Sequence, residues 1–254
     1  MLSNKALSIS PSPTLAIDSR FKEMKAKGID VVGFGAGEPD FDTPEHICLA
    51  AMEAIKAGKT RYTPAAGTME LRKLVCEKFK RENGLDYEPS QIVVSNGAKH
   101  SLVNAFMAIC NPGDEVIVPA PYWVSYPEMI KLADGVPVQL LTREEDDFKA
   151  TAEEYEAMMT DKTKAIVLNS PSNPTGMIYT KDELTAIAEV AVRHNVYVVS
   201  DEIYEHLIYE GEHTSIASLG DKIKDLTIVV NGVSKTYAMT GWRIGYTACA
   251  PEIT

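Results

Sequence analysis

The feature that most narrows the fold is a rhythm in which short β-branched runs alternate with longer amphipathic stretches. The runs are Gln91–Ser95, Glu115–Pro119, Val136–Leu141, Lys164–Asn169, Val196–Ser200, Leu226–Asn231 and Gly245–Ala250. Four or five of them are apolar at nearly every position, which suits strands covered on both faces, as in a parallel sheet. Several linking stretches read as helices. In Thr180–Asn195, Leu184, Ile187, Ala188, Ala191 and Val192 fall on one stripe. Thr43-Pro44-Glu45 reads as a helix start: a cap residue, a proline at the first helical position, then an acid near the positive helix end. A further helix is expected through Ser101–Ile109. Alternation across about seven strands predicts an α/β domain with a mostly parallel sheet flanked by helices. The last two runs are joined mainly by loop, which allows an antiparallel strand there.

Composition removes several function classes. The 254 residues are 45% hydrophobic and 24% charged, enough for a sizeable core and unlike a disordered chain. The formal charge of −11 argues against a phosphate-backbone footprint and hence against nucleic acid as a partner. No window approaches eighteen consecutive apolar residues, so no membrane helix is expected, and Met1–Asp18 lacks the pattern of a signal peptide. Cys48, Cys76, Cys110 and Cys249 are widely spaced, and the histidines form no HExxH pair, so neither a metal site nor a disulfide framework is expected. The expected location is cytoplasmic. Residues 1–40 break the rhythm with a Pro/Ser segment, a helix-like stretch near Thr14–Lys27 and a Gly-rich corner, Gly33-Phe34-Gly35-Ala36-Gly37. They read as an N-terminal arm plus part of a second unit, with 41–254 as the main domain. Pro251–Thr254 resembles the first turn of a helix.

Open α/β sheets bind ligands beyond the carboxyl ends of their strands. Here those positions hold Asn96-Gly97-Ala98-Lys99, Pro121-Tyr122-Trp123, Ser172-Asn173-Pro174-Thr175-Gly176, Asp201-Glu202-Ile203-Tyr204, and Gly232-Val233-Ser234-Lys235 followed by Gly241-Trp242-Arg243. Each has a plain alternative. Gly97-Ala98 could be only a tight turn, Trp123 a core residue, Asp201 a helix cap and Lys235 a solvated lysine. Asp201, after an apolar strand, should be partly buried and so needs a cation or several donors. A lysine held at such a place can lose its proton and act as a nucleophile. Five such groups on one predicted edge shift the balance. A phosphate cradle, an aromatic platform, a buried acid, phenol and amide donors and an amine together suit pyridoxal phosphate. A nicotinamide dinucleotide fits poorly, because the glycine corner has the wrong spacing and opens no helix.

Gly232 to Gly245 (GVSKTYAMTGWRIG) resembles the lysine signature of the class I pyridoxal-phosphate aminotransferases. Gly37-Glu38-Pro39-Asp40-Phe41, Tyr62-Thr63-Pro64-Ala65-Ala66-Gly67, Pro121-Tyr122-Trp123, Ser172–Gly176 and Ser200–Tyr204 match further blocks of that family in order. Within the family the chain looks most like the bacterial aspartate aminotransferases of the shorter-chain branch. The resemblance implies that Lys235 bonds the cofactor and shuttles a proton, and that Asp201 pairs with the ring nitrogen. Tyr204 and Asn173 would bond the phenolic oxygen and Trp123 would stack on the ring. Gly97, Ala98 and Arg243 would hold the phosphate, with Lys99 and Ser234 also among the cofactor-binding residues and Tyr62 reaching in from a second subunit of a homodimer. Gly37, Trp123 and Asn173 would contact substrate. Ser12, Thr14 and Lys99 sit where relatives meet the distal carboxylate of aspartate. The implied reaction is transamination between an L-amino acid, aspartate leading, and a 2-oxo acid such as 2-oxoglutarate. The alternatives are another enzyme of the same fold (a carbon–sulfur lyase, or an aromatic or alanine aminotransferase) and a non-catalytic cofactor-binding fragment. Family members carry a C-terminal segment that completes a small domain and supplies the arginine clamping the substrate α-carboxylate. This chain stops before it, so either a fragment of a longer enzyme or a truncated product, able to bind cofactor but poor at transamination, is expected.

Overall fold

The computed structural model describes residues 1–35 and 37–254; Ala36, in the glycine corner, lies outside them. Seven strands form one sheet: β1 (Ile92–Ser95), β2 (Glu115–Ala120), β3 (Val136–Leu141), β4 (Thr163–Asn169), β5 (Tyr197–Asp201), β6 (Thr227–Gly232) and β7 (Gly245–Ala248). Their order is β1-β7-β6-β5-β4-β2-β3. All pairings are parallel except those of β7, which runs antiparallel to both β1 and β6. Each predicted run is a strand, with ends moved by one or two residues. The antiparallel strand that the last loop allowed is β7.

The apolar runs are continuous because the sheet is covered twice. On β2, Val116 and Val118 join one buried cluster while Ile117 joins another; on β4, Ala165 and Val167 face the first and Ile166 and Leu168 the second. The first cluster is completed by α5 (Ala98–Ile109), through Leu102 and Phe106, and by α6 (Ser125–Leu132), through Tyr126 and Ile130. The second is completed by Tyr155 of α7 (Ala152–Met158), Leu184 and Ile187 of α8 (Lys181–His194) and Ile223 of α9 (Asp221–Leu226). A third cluster packs Val75 of α4 (Met69–Lys78) and Phe79 onto Ile92 and Tyr246. Each fully buried aliphatic or aromatic side chain contributes about 1.5–3 kcal/mol. These clusters fix where the strand ends stand.

Helix α8 illustrates how locally the chain is specified. Thr180 accepts from the Glu183 amide at 3.3 Å, and the Glu183 carboxylate accepts from the Thr180 amide at 2.6 Å, forming a capping box. The helix stops at Asn195, which takes a left-handed conformation with φ 53°.

The N-terminal fifth differs. Helices α1 (Asn4–Ser8), α2 (Pro13–Ala26) and α3 (Glu45–Lys56) contain no buried residue. The expected start at Thr43-Pro44-Glu45 needs correction. Helix α3 begins at Glu45, and Thr43 is not its cap. The Thr43 hydroxyl instead donates to the Ala238 carbonyl at 2.6 Å and accepts from Trp242 Nε1 at 3.1 Å. A tertiary contact nearly two hundred residues away in sequence wins over the local cap. Among the described residues, no helix is long and apolar enough to cross a membrane.

Candidate active site

An open cleft of about 1430 Å³ lies at the carboxyl ends of the parallel strands. Its lining includes Ala98, Lys99, Trp123, Asn173, Asp201, Tyr204, Ser234, Lys235 and Arg243, with Thr14, Phe34 and Gly37 on the N-terminal side. Thus most of the residues singled out in sequence meet in one place. Ser12 does not line the cleft; it caps α2 by accepting from the Leu15 amide at 3.4 Å. Tyr62 also stands apart, its side chain fully exposed.

The floor is Asp201, the last residue of β5 and 3% exposed. Burial raises its carboxyl to about 6, against the hydrogen bonds from Tyr126 and Ile203 that pull it down. The Tyr126 hydroxyl donates at 2.7 Å and the Ile203 amide at 3.3 Å. Tyr126 is itself buried and stands edge-on to Trp123, ring centroids 5.5 Å apart. No positively charged side chain pairs with Asp201 among the described residues, so this acid lacks the cation that its burial demands.

Above it, Lys235 Nζ donates to the Gly37 carbonyl and lies 5.5 Å from the Tyr204 ring centroid. Burial lowers the Lys235 pKa, and the Arg243 charge lowers it further, against a raising effect of Glu38. The shift favours a neutral amine. Tyr204 is pushed the other way, raised by burial and then by the Asp201 charge. A chain of amides fixes Tyr204 relative to the floor. Asn169 Nδ2 donates to the Asp201 carbonyl at 2.9 Å, the Asn173 amide donates to Asn169 Oδ1 at 2.7 Å, and Asn173 Nδ2 reaches the Tyr204 hydroxyl at 3.4 Å.

The third corner is the start of α5. Gly97, at φ 90°, precedes it, and its first internal hydrogen bonds are made by His100 and Ser101. The Ala98 and Lys99 amides are therefore the free donors of a helix start, suited to an anion. Arg243 supplies a charge there: its guanidinium fills the space a Cβ on Gly97 would take, and the positive φ of Gly97 favours glycine at that position. Its guanidinium also donates to the Thr240 carbonyl at 2.9 Å. Lys99 Nζ lies 4.8 Å from the Trp123 ring centroid, and burial lowers its pKa. The cleft thus combines an amine of lowered basicity, a buried unpaired acid, a phenol and an anion cradle.

Tyr126 and Asn169 were missed in sequence. Asn169 had a signal, because it pairs in register with Asp201 at the end of the neighbouring parallel strand. Tyr126 had none, since a tyrosine on a short amphipathic helix reads as core.

Comparison with known proteins agrees with this geometry. The family model for aminotransferase class I and II matches residues 29–254. The chain is 55% identical over 254 residues to an aspartate aminotransferase of Bacillus sp. (strain YM-2), covering 100% of this chain and 65% of that protein. It is 53% identical over 251 residues to a probable aspartate/prephenate aminotransferase of Thermus aquaticus, covering 99% of this chain and 64% of that one. The solved structure of Thermus thermophilus aspartate aminotransferase with maleate superposes with a TM-score of 0.97 at 50% identity, over 100% of this chain and 65% of that one. The chain therefore spans about 65% of the length of such relatives. The match over residues 29–254, the seven-stranded sheet and the cleft at its strand ends lead to one conclusion: this chain belongs to the class I and II aminotransferases.

Proposed function

We propose that this chain carries the cofactor half of a pyridoxal-phosphate-dependent transaminase acting between an L-amino acid, aspartate first, and a 2-oxo acid such as 2-oxoglutarate. The observation that carries the reading is the meeting of Lys235, of lowered basicity, with a buried and unpaired Asp201 in one cleft. The donor set fits the cofactor. Asp201 would face its ring nitrogen, Tyr204 and Asn173 its phenolic oxygen, and Trp123 its ring face. Ala98, Ser234 and Arg243, with Gly97, would hold its phosphate. When bound, pyridoxal phosphate supplies an aldehyde that an amine can bond and a protonated ring that accepts the electrons left at the substrate's α-carbon.

The protein's own part is acid–base work and orientation. Asp201, kept as a carboxylate by Tyr126 and the Ile203 amide, holds a proton on the ring nitrogen. Lys235 Nζ, biased towards the free amine, takes the proton from the substrate's α-carbon. Asn173 and Tyr204 hold the plane of the reacting group. Lys99 and Thr14, which line the cleft, would meet a second carboxylate, favouring aspartate over alanine-like substrates. Relatives named for both aspartate and prephenate motivate a second acceptor, also a dicarboxylate, for the same wall. We further take residues 1–40 as an arm and the start of a second unit, 41–254 as the cofactor-binding domain, and a homodimer as the working form, with Tyr62 offered to the neighbour's cleft.

The test is spectroscopic, then kinetic. With added pyridoxal phosphate the chain should develop a visible band, and borohydride should fix the label on the peptide containing Lys235. Label scattered over surface lysines would overturn the reading. With L-aspartate and 2-oxoglutarate, keto acid formed without ammonia supports transamination, whereas ammonia release supports a lyase.

A further inference from the structure

Asp201 ends β5 and Tyr204 stands three residues on, in the turn that follows, and both line the cleft; Glu202 and Glu205, each one residue later, are buried. Glu202 is served close by, accepting from Ser200 at 2.9 Å and Ser215 at 2.7 Å and meeting His213 at 3.1 Å. Glu205 reaches farther. Its Oε1 accepts from Asn231 Nδ2 at 2.8 Å and pairs with Lys78 Nζ, and its Oε2 accepts from Asn83 Nδ2 at 2.9 Å. Lys78 is the last residue of α4, and Asn83 ends the wide turn Phe79–Asn83 that follows it. Asn231 is the next-to-last residue of β6 and uses its own Oδ1 to accept from the Gly232 amide at 2.7 Å, just before Val233-Ser234-Lys235.

Burying an ion pair is weak support for stability, since apolar replacements of similar size are often no worse. Its stronger use is to fix one arrangement, and here the arrangement has a function. The Glu205 amide donates to the Glu202 carbonyl at 3.0 Å and the Leu207 amide to the Tyr204 carbonyl at 2.8 Å, so the Glu205 side chain and the Tyr204 ring belong to one rigid turn. We propose that Glu205 is a positioning residue for the reaction: through Asn231 it locks the turn bearing Tyr204 to the strand that delivers Lys235, while Lys78 anchors the same carboxylate to α4. Glu205 touches neither substrate nor cofactor. The role rests on the proposed function of the cleft.

The readout is the pH midpoint of the visible band given by pyridoxal phosphate bonded to Lys235, because the Tyr204 hydroxyl at the phenolic oxygen holds that midpoint down. The 254-residue chain and its E205A and E205Q variants are titrated from about pH 5 to about pH 10. E205A should raise the midpoint by at least about 0.5 pH unit, a roughly threefold change in the equilibrium, and E205Q, which keeps the shape and one acceptor oxygen, by less but in the same direction. If E205A does not fold, E205Q decides. Ile187→Ala, in the core cluster of α8, is the control for destabilisation alone and should leave the midpoint in place. Equal midpoints in wild type and variants overturn the role while leaving the proposed function standing. An equal shift in the control also overturns it. No band in the wild type overturns the proposed function and this role with it.

Discussion

Replacing Asp201 by asparagine should make the cofactor-free protein more stable and the cofactor-loaded protein less so. Asp201 is 3% exposed, and burial raises its carboxyl from the ordinary 3.8 to about 6 in the folded chain. An acid whose folded pKa is raised binds its proton more tightly native than unfolded. Its contribution to stability is therefore fully present below pH 3.8 and is lost as pH rises through about 6. At pH 8 the ionised carboxylate destabilises the native state by ~3 kcal/mol, at about 1.4 kcal/mol for each pH unit between the two values. Asparagine imitates the neutral acid: its one oxygen accepts from the Ile203 amide and its Nδ2 donates to the Tyr126 hydroxyl oxygen, losing ~1 kcal/mol because those bonds are no longer charge-assisted. The net gain of ~2 kcal/mol corresponds to a rise in Tm of about 4–8 °C for a chain of this size.

Differential scanning fluorimetry at several pH values, with and without pyridoxal phosphate, reads this directly. Without cofactor, the asparagine variant should melt above wild type at pH 8, and the gap should close towards pH 4. With cofactor the order should invert, because a partner for a protonated ring nitrogen is gone and losing one half of a buried charge pair costs about 2–5 kcal/mol of binding. The reasoning fails if the variant melts at or below wild type at pH 8 without cofactor, or if the gap does not depend on pH. Either result would mean that Asp201 is satisfied by Tyr126 alone and waits for no cation.

Three further outcomes are expected. Gly245→Ala would drive a Cβ into the Ala98 amide nitrogen and the Gly97 carbonyl carbon, so the start of α5 must move, and pyridoxal phosphate should bind at least ~10-fold more weakly in a fluorescence titration with the fold retained. Thr43→Val removes the donor to Ala238 and the acceptor for Trp242, lowering thermal stability by about 1–3 kcal/mol and shifting tryptophan emission, while Thr43→Ser should restore both. Leu49, Met52 and Ile55 are all exposed on α3, so the chain should self-associate, and Leu49→Glu with Ile55→Lys should reduce that association in light scattering; a monodisperse wild-type monomer would refute this.

What could be read in sequence follows from the range of the forces involved. Strands and α8 were legible because hydrophobic period and caps are written within a few residues, as at Thr180 and Glu183. The cleft was legible because the strand-end rule converts a list of strands into a single edge, which gathers Asp201, Asn173, Trp123 and Lys235. Thr43 was misread because its hydroxyl has partners at Ala238 and Trp242 that no local window contains. The rule also looked one position too late at β4. Asn169, the final strand residue, lies level with Asp201 and supports the Asn173 amide, yet a scan of residues after the strand passes over it.

Arg243 owes its place to the direction of one strand. It comes before a strand, so in an all-parallel sheet it would sit at the edge opposite the cleft. Strand β7 is reversed, and Gly245 lies between Ser95 of β1 and Gly232 of β6, pairing with both. That one register position brings together the end of the strand leading into α5, the end of the strand leading to Lys235, and the segment carrying Arg243. Gly245 must be glycine because the start of α5 rests on it, and Gly97, with its positive φ, leaves room for Arg243 beside it. Were β7 parallel to its neighbours, Arg243 would lie about 13 Å away, the length of a four-residue strand. The anion cradle would then hold backbone amides without a counter-charge. One reversed strand of Gly245–Ala248 thus decides whether the helix start and Arg243 share a site.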